Sequence, residues 1–588
     1  MRPPFDKQEI SSVLEEMADL MELAGENPFR ARSFRAAARS LEATTEDIGS
    51  LVASGRLKEI PGIGPALESI ISELCREGRS PRHEELKNTV PVGLLDLLRV
   101  GGLGPKKARQ LYQNLGIAGL PALEAACRSG KVAEQSGFGE KMQAKILAGI
   151  EYLRQVGGRF LQDEALAAGR ELLDRLRGDP NVIRADLAGS IRRRRETVKD
   201  IDLVAASADP ESVMKGFISA AESSQVRPQV VAHGPTKSSI RLASGMQADL
   251  RVVSDAEFPF ALLHFTGSME HNTAMRGRAR NRGFKLNEYG LHRLDAGDGE
   301  SEGEKLACRS EAEIFSALGL AFIEPELRED RGEIDLAEAG RLPRLVEAGD
   351  IRGVVHAHTT YSDGRHSLEQ MAEAARAAGY GYLAVTDHSQ SAGYAGGLRE
   401  DRIREQHREI EALNARLQGL RIFKGIESDI RTDGSLDYPP EVLDLFDFVI
   451  ASVHSNFGLT ETEQTERVLR ALRDPHCTIL GHPTGRLLLE RSGFAIRMEE
   501  VIRAAASLGA AIEINAHPRR LDLDWRWGSL AREAGLKTCI SPDAHSTEGI
   551  RLIEFGVGIA RKAGFSASEV VNTYPADGFA AWIRTRRR

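Results

Sequence analysis

Hydrophobic positions along the 588-residue chain change their spacing several times. Near the amino terminus, apolar or small residues run into Gly-x-Gly and then an amphipathic stretch. This happens three times, in EIPGIGPALESII (59–71), RVGGLGPKKARQLY (99–112) and QSGFGEKMQAKIL (135–147). The spacing predicts a tight turn followed by a helix in each case. Further on, DLAGS, DIDLVAA and MQADLRVVS read as short apolar strands in which polar residues alternate. Periodicity then fades from LDAGDGESEGEK through PELREDRGEIDLAEAG, where Gly, Asp and Glu dominate. Part of that segment predicts a solvated loop and its end a candidate linker, with a domain boundary near 335–350. From 352 to 588, short strands alternate with helical stretches: GVVHAH, YLAVTDH, RIFKGIE, FVIASVH, CTILGHP, AAIEIN and TCISPDAH. This is a β/α repeat.

The three Gly-x-Gly turns have helix-hairpin-helix punctuation. Their glycines, Gly62 and Gly64, Gly102 and Gly104, Gly137 and Gly139, permit φ > 0 and close backbone approach. The helix that follows points free N–H groups outward at its positive end, which suits a phosphate oxygen. Lys106, Lys107 and Lys141 follow these turns and add positive charge for contacts that do not depend on base sequence. One copy reads equally well as a plain hairpin, but three copies within 150 residues favour DNA.

Composition adds the boundaries. The length exceeds one ordinary core, and 41% hydrophobic with 28% charged residues fits a multidomain globular enzyme or binder. Five cysteines lie far apart with no CxxC pair, which excludes a disulfide scaffold or zinc ribbon and suits a reducing compartment. The start MRPPFDKQEI lacks a signal-peptide h-region and no apolar run spans a bilayer, so a cytoplasmic, nucleoid-associated protein without a membrane partner is expected. The net charge of −8 hides an asymmetry. Residues 159–294 hold 21 Lys and Arg against 17 Asp and Glu, whereas residues 295–350 hold 6 against 16. The acidity sits in the middle segment, so it does not argue against nucleic acid elsewhere.

The stretch AGSIRRRRETVKDIDLVA (188–205) gathers the chemistry. Residues two apart on a strand share a face, so Asp200 and Asp202 point together while Ile201 and Leu203 enter the core. Paired carboxylates repel unless a cation lies between them, and Mg²⁺ or Mn²⁺ takes such hard oxygen ligands. Asp249, on another apolar strand, supplies a third acid. The arginines after Gly189 and Ser190 would hold the far end of an anionic substrate by bonding phosphate oxygens. An Asp-x-Asp motif alone is most often an ordinary strand edge, and an arginine run a solvated face.

Order and spacing strengthen the reading. Gly189-Ser190, Arg193, Asp200-x-Asp202 and a later Asp249 resemble the palm of the nucleotidyltransferase superfamily, and HFTGSMEHNTAMRGRARNRGFKLNEYG (264–290) resembles the thumb segment of family X DNA polymerases. The resemblance implies that Ser190 and Arg193 bind the triphosphate and that Asp200, Asp202 and Asp249 hold two ions, Asp249 near the primer hydroxyl. It further implies that Phe265, Gly267 and Ser268 form the turn under the incoming sugar. Asn272 would touch the nucleotide's minor-groove edge, Arg276 the template strand, and Arg251 with Glu288 would serve closing of the thumb. His264 stands where the family commonly has tyrosine. The implied chemistry is nucleotidyl transfer from dNTPs to a primer 3′-hydroxyl with two divalent cations.

In the carboxyl-terminal repeat nearly every strand ends in a metal-ligand residue: His356, His358, His388, Glu427, His454, His482, Asp543 and His545, with Asp363 in the first loop. Strand C-termini are where a β/α barrel builds its site. The set resembles that of the PHP (polymerase and histidinol phosphatase) domain, which implies a distorted (β/α)7 barrel with three ions. By that resemblance His356, His358, Glu427 and Asp543 hold one ion, Glu427, His454 and His482 a second, and Asp363, His388 and His545 a third. Imidazole with carboxylate suits Zn²⁺ or Mn²⁺, and such a cluster can activate a water toward phosphorus. His517 falls outside the pattern, as a bystander near the rim.

The chain thus resembles bacterial family X DNA polymerases with a carboxyl-terminal PHP domain. The expected fold is multidomain, α+β and α/β. A helical 8-kDa-like DNA-binding domain spans 1–90, a helix-hairpin-helix fingers-like domain 91–157, a nucleotidyltransferase palm 158–255 and a thumb 256–333. A linker covers 334–351 and the PHP barrel 352–588. The expected activity is gap-filling DNA synthesis in base excision repair by a monomer on gapped or primer-template DNA, with a metal-dependent 3′–5′ exonuclease in the barrel that also leaves room for AP endonuclease activity. The competing reading is a PHP phosphodiesterase or phosphatase docked to DNA by an inactive palm, against which the intact Asp200, Asp202 and Asp249 argue. A non-catalytic scaffold would need an eroded ligand set. Lyase-competent family members carry a lysine nucleophile after the first hairpin, where this chain has Ile70. Only Lys7, Lys58 and Lys87 occur among the first 90 residues. NPFRARSFRAAA keeps Arg30 and Arg35 but offers Phe34 for a common tyrosine, and Ala66 replaces a further basic position. Little or no deoxyribose-phosphate lyase activity is expected.

Overall fold

Left-handed glycines set the turns of the amino-terminal unit. The structure, a computed structural model, describes residues 7–44, 48–91, 93–222, 229–294 and 302–586, and the chain divides into two compact units, residues 1–157 and 158–588. In the first, Gly62 (φ 86°) and Gly102 (φ 94°) turn the backbone where other residues would be strained. Gly64 and Gly104 then cap helices Pro65–Glu77 and Pro105–Leu115, and neither offers a side chain to the first N–H groups. Those donors stay open at the positive helix ends. The third turn has another shape, because Gly137 and Gly139 are both left-handed and helix Gly139–Val156 starts at the second glycine itself. Leu67, Ile71, Leu111 and Ile146 from these helices join Leu14 and Met17 of helix Lys7–Ala24 in one core.

The second unit begins with a five-stranded sheet. Its order is Arg184–Leu187, Asp200–Ala206, Gln247–Val253, Lys237–Arg241, Gln229–His233. The Asp200 and Gln247 strands run parallel and the other pairs antiparallel. Helices Gln162–Arg177 and Pro210–Glu222 bring Leu166, Leu173, Val213 and Phe217 to the core that holds Ile201, Leu203 and Leu250. Helix Phe258–Thr266 meets Val204 and Ala206 from the other face with Phe258 and Leu262. Helix Met269–Asn281 and an antiparallel sheet of three strands follow.

The acidic middle segment differs from the solvated loop its composition predicts. Residues 295–301 lie outside the described residues, but beyond them Glu311, Glu326 and Glu333 are buried, and so is the side chain of Glu329. Each is buried because it has a basic or imidazole partner. Glu311 meets Arg192 (2.7 Å) and the fully covered Arg328 (2.5 Å), Glu326 meets Arg561 (2.6 Å), and Glu333 meets His271 (2.6 Å). Sequence composition counts charge, but folding pairs it. The 334–351 stretch begins inside helix Glu333–Glu338 and then buries Leu345 and Val346, with the Val346 N–H donating to the Phe565 carbonyl at 2.9 Å.

Seven parallel strands complete the unit in consecutive order: Gly353–Ala357, Tyr382–Val385, Arg421–Asp429, Phe448–Ser452, Cys477–Leu480, Ala511–Asn515 and Lys537–Ser541. A bridge between Ala357 and Ala544 brings the last strand's end back to the first, so the sheet is nearly closed. Tyr382, Phe423, Phe448 and Ile479 pack with Phe579 and Ile583 of the carboxyl-terminal helix Ala576–Arg586. These apolar residues precede the histidines and acids on their strands, leaving the strand C-termini for polar side chains.

Candidate active sites

Strand period two puts the palm carboxylates together. Asp200 and Asp202 alternate with fully buried Ile201 and Leu203, and Asp202 pairs across the parallel ladder with Asp249. Gly189 (φ 59°) passes over the Asp202 carboxylate so closely that a Cβ there would fall 2.0 Å from Oδ2. Only glycine permits that approach. Burial, then Asp200 and Asp249, push Asp202 up to about 7. Burial and Asp249 raise Asp200 as well. Asp249 moves down despite its burial, because Lys237 Nζ lies 2.9 Å from Oδ2 and Gln247 donates to Oδ1 at 2.8 Å. Two carboxyls held above their ordinary range beside a third that stays charged form a site that a divalent cation would relieve.

The four arginines do not act together as the sequence suggests. Arg192 is spent on Glu311 and on Thr266 Oγ1 (2.7 Å), and Arg195 on Glu329 (3.3 Å). Arg194 (φ 55°) turns away to lie against Gly558 of the barrel. Arg193 alone has its charge felt at Asp202. Long-range pairing with acids that lie over 100 residues away decides this division, which local sequence does not carry.

The thumb residues gather beside this sheet. Ser268 Oγ caps helix Met269–Asn281 by accepting the His271 N–H at 3.1 Å. Asn272 Nδ2 donates to the His264 carbonyl at 2.6 Å, and a Cβ on Gly267 would come within 2.3 Å of Asn272 Oδ1. Arg251 of the Asp249 strand stacks over Phe265 at 4.8 Å, which ties palm to turn. The His264 ring meets Phe265 edge-on at 5.0 Å, and burial lowers its pKa. Ser190 lies in the short helix Gly189–Arg192 and Arg276 is exposed. In the first unit Lys106 is exposed, whereas Lys107 Nζ lies over the Phe138 ring at 5.6 Å.

The barrel brings its nine predicted ligands into one basin. Glu427 is the hub: its oxygens lie 3.4 Å from His356 Nε2, 2.9 Å from His388 Nδ1, 3.2 Å from His454 Nε2 and 3.0 Å from His482 Nε2. Asp543 Oδ1 lies 3.2 Å from His358 Nε2 and 3.5 Å from His356 Nε2. Asp363 lies 3.4 Å from His545 and 3.6 Å from His388. Three groups have donor atoms close enough together to hold an ion: His356, His358 and Asp543; His388, Glu427 and His454; and His358, Asp363, His388 and His545. Two of them keep together His356, His358 and Asp543 of one expected set and Asp363, His388 and His545 of another, and the groups overlap at His358 and His388. His356 Nε2 and both His358 nitrogens are buried without a hydrogen-bond partner. Buried lone pairs without donors, facing carboxylates, fit a cation. His356 (φ 69°) and Asp543 (φ 52°) hold left-handed backbone at their strand ends, a strain typical of functional positions.

Behind these ligands stand three acids that sequence reasoning missed. Glu513 Oε1 lies 2.5 Å from His356 Nδ1 while its other oxygen accepts the His482 N–H at 2.6 Å. Asp429 Oδ1 holds His454 Nδ1 at 2.6 Å. Fully buried Asp387 accepts the N–H and hydroxyl of Thr359 (2.7 Å each) and the Ser362 hydroxyl (2.5 Å), which fixes the loop that carries Asp363. Each orients a ligand from outside the basin. A signal existed for Asp429, two residues after Glu427 on the same strand face, and for Asp387, directly ahead of His388. Burial pushes His358 down to about 3, with His545 and His388 adding to it. His356 instead rises, since Glu513, Asp543 and Glu427 outweigh its burial. The His517 ring accepts the Arg519 N–H at 3.2 Å within its own turn.

Comparison with known proteins agrees with this architecture. Family models match for the helix-hairpin-helix domain at residues 5–80, the SAM-like helix-hairpin-helix tandem at 94–151, the DNA polymerase beta thumb at 261–329 and the PHP domain at 355–517. The DNA polymerase/3′–5′ exonuclease PolX of Bacillus subtilis is 39% identical over 98% of this chain and 99% of its own length. A probable phosphatase of Thermoanaerobacter sp. is 28% identical over 37% of this chain and 89% of its own length. DNA polymerase lambda of Rattus norvegicus is 25% identical over 54% of this chain and 56% of its own. No helix among the described residues is long and apolar enough to cross a membrane. With a likeness that runs the length of both chains, this protein belongs to the family of the bacterial DNA polymerase/3′–5′ exonuclease PolX, a family X polymerase joined to a PHP domain.

Proposed function

We propose that the chain fills short gaps in DNA from dNTPs at Asp200, Asp202 and Asp249, and shortens DNA 3′ ends at the barrel basin. The observation that carries this reading is that both acid clusters are intact in one chain, and the relative of matching length is named for both activities. In the palm Ser190 and Arg193 bind the triphosphate, Gly189 lets it approach, and Phe265, Gly267, Ser268 and Asn272 form the wall under the sugar and base. Arg276 meets the template strand, and the open helix ends after Gly64 and Gly104 take backbone phosphates. Mg²⁺ or Mn²⁺ in the palm and Zn²⁺ or Mn²⁺ in the barrel would lower the pKa of a hydroxyl or water and offset negative charge on the phosphoryl oxygens. Glu513, Asp429 and Asp387 keep the barrel ligands in place for this. The domain limits we assign are those expected from the sequence, 1–90, 91–157, 158–255, 256–333 and 352–588, and base excision repair is the proposed setting. The phosphatase likeness covers 37% of this chain, and a phosphatase reading leaves the three palm carboxylates without a use.

The two activities should separate. Asp249→Asn is expected to reduce primer extension by at least about 100-fold and leave shortening intact, and His356→Ala to do the reverse. A labelled primer-template assay with both variants checks this, and loss of both activities in either folded variant contradicts two independent sites.

Asp202 predicts a pH dependence. Its folded pKa of about 7 lies above an ordinary carboxyl near ~3.9. The stability that its proton confers is therefore complete below about pH 4 and lost as pH rises through about 7. Metal-free protein should lose thermal stability across that window, and Mn²⁺ should restore more at pH 8 than at pH 5. Asp202→Asn should remove the part of that pH slope, and of the Mn²⁺ gain, that belongs to the palm. Thermal melts of both proteins that run parallel would contradict it.

Lyase activity should be weak or absent. Ile70 is buried in helix Pro65–Glu77, and Lys58 and Lys87 are ion-paired with Glu68 (2.9 Å) and Glu16 (3.4 Å). Paired ammonium groups make poor Schiff-base nucleophiles. Arg35 is likewise held by Asp19 (2.6 Å) and Glu22 (2.7 Å), so preference for a 5′-phosphorylated gap should be weak. Borohydride trapping on an incised abasic strand should give no adduct. An adduct mapping to residues 1–90 and lost on mutating Lys58 or Lys87 would overturn this.

A further inference from the structure

The barrel grips the palm at the arginine run. Lys562, at the end of helix Ile553–Lys562, has its side chain fully covered. Its ammonium donates to the Arg193 carbonyl at 3.0 Å and to Glu329 Oε1 at 2.5 Å. The same Oε1 accepts Arg193 Nε at 3.0 Å, and Oε2 accepts Arg195 Nη1 at 3.3 Å. Arg193 Nη1 is spent on the Thr266 carbonyl at 2.7 Å. Nη2 is thus the corner of that guanidinium with no partner among the described residues, on the arginine whose charge is felt at Asp202.

The neighbouring contacts hold this grip rigid. Gly558, one turn before Lys562, lies against Arg194, where an added Cβ would come within 3.2 Å of Cδ. Trp525 Nε1 of the barrel donates to Glu196 at 3.0 Å, with its ring 4.4 Å from Lys562 Nζ and 5.4 Å from the Arg195 guanidinium. Arg526 adds an ion pair to Glu196 at 2.8 Å. Burying an ammonium is costly unless it is paired. Here its partner is the carboxylate that also aims Arg193, so one cation from the barrel fixes both the backbone and the side chain of that arginine.

We infer that Lys562, acting through Glu329, is a positioning residue for the incoming nucleotide: it holds Arg193 with Nη2 turned to the triphosphate, so that the barrel forms part of the polymerase's nucleotide site. This rests on the polymerase reading above. Lys562 itself touches no substrate and lies outside the barrel's ligand basin, so shortening of DNA does not depend on it.

The test uses the full chain with Lys562→Met, Lys562→Arg and Glu329→Gln. Extension kinetics on gapped DNA give kcat and KM for the dNTP. A dNTP analogue with a methylene between the α and β phosphorus atoms gives the dissociation constant from the enzyme–DNA complex without turnover. Lys562→Met should raise both KM and that constant about tenfold. Its kcat should stay within about threefold and the rate of shortening should not change. Lys562→Arg should recover most of the loss, and Glu329→Gln should reproduce it, which keeps the test available where Lys562→Met does not fold. Unchanged nucleotide affinity in Lys562→Met, or a parallel loss of extension and shortening that arginine does not rescue, overturns the inference. Absence of extension by the unsubstituted chain would refute the polymerase reading itself, a different result from extension that ignores residue 562.

Discussion

The second unit depends on one electrostatic constraint: carboxylates taken out of water must find positive charge within a few ångströms. The fold meets it in two ways. Where arginine, lysine or histidine reaches the acid, as at Glu311, Glu326, Glu329 and Glu333, the pair joins distant parts of the chain. Where burial and neighbouring carboxylates outweigh the basic side chains nearby, as at Asp200 and Asp202, the carboxyls are pushed toward their protonated form. In the barrel, raised imidazoles such as His356 and His454 carry the balancing charge instead. A metal ion is the alternative in both places, and its binding must displace those protons.

The same constraint explains why four arginines in a row do not act as one. Arg192 and Arg195 balance buried acids, Arg194 packs against the barrel, and Arg193 is shared between Glu329 and the carboxylate site. Interfaces of this kind resist sliding, because moving one partner would strand a buried charge. Palm and barrel are therefore joined through contacts around the arginine run and Glu196 rather than through a free linker.

Much of this was legible in the sequence because its signals are local. Period two separates Asp200 and Asp202 from Ile201 and Leu203, and a candidate ligand at the end of nearly every short strand marks the barrel basin. Glu513 was not legible, since one acid inside AAIEIN gives no local sign that it will face His356. The acidic segment misled for a related reason: its composition is that of a solvated loop, and only folding supplies Arg328, Arg561 and His271 as partners. Lys562 and Arg193 lie 369 residues apart, and nothing near either one announces the other. The overlap of candidate ligand groups at His358 and His388 also arises from packing, because neighbouring strand ends crowd their imidazoles into one basin.

On the proposed function, one chain carries two cation-dependent centres that act on the same DNA end with opposite results. A gapped duplex with a 5′-labelled primer, incubated with the unsubstituted protein and Mn²⁺, measures both at once. The account predicts that the primer shortens without dNTPs, lengthens to fill the gap when all four are present, and keeps its length when a chelator removes the metal. A primer that shortens at the same rate with or without dNTPs, and never lengthens, would leave the palm carboxylates without the role assigned to them and contradict the account.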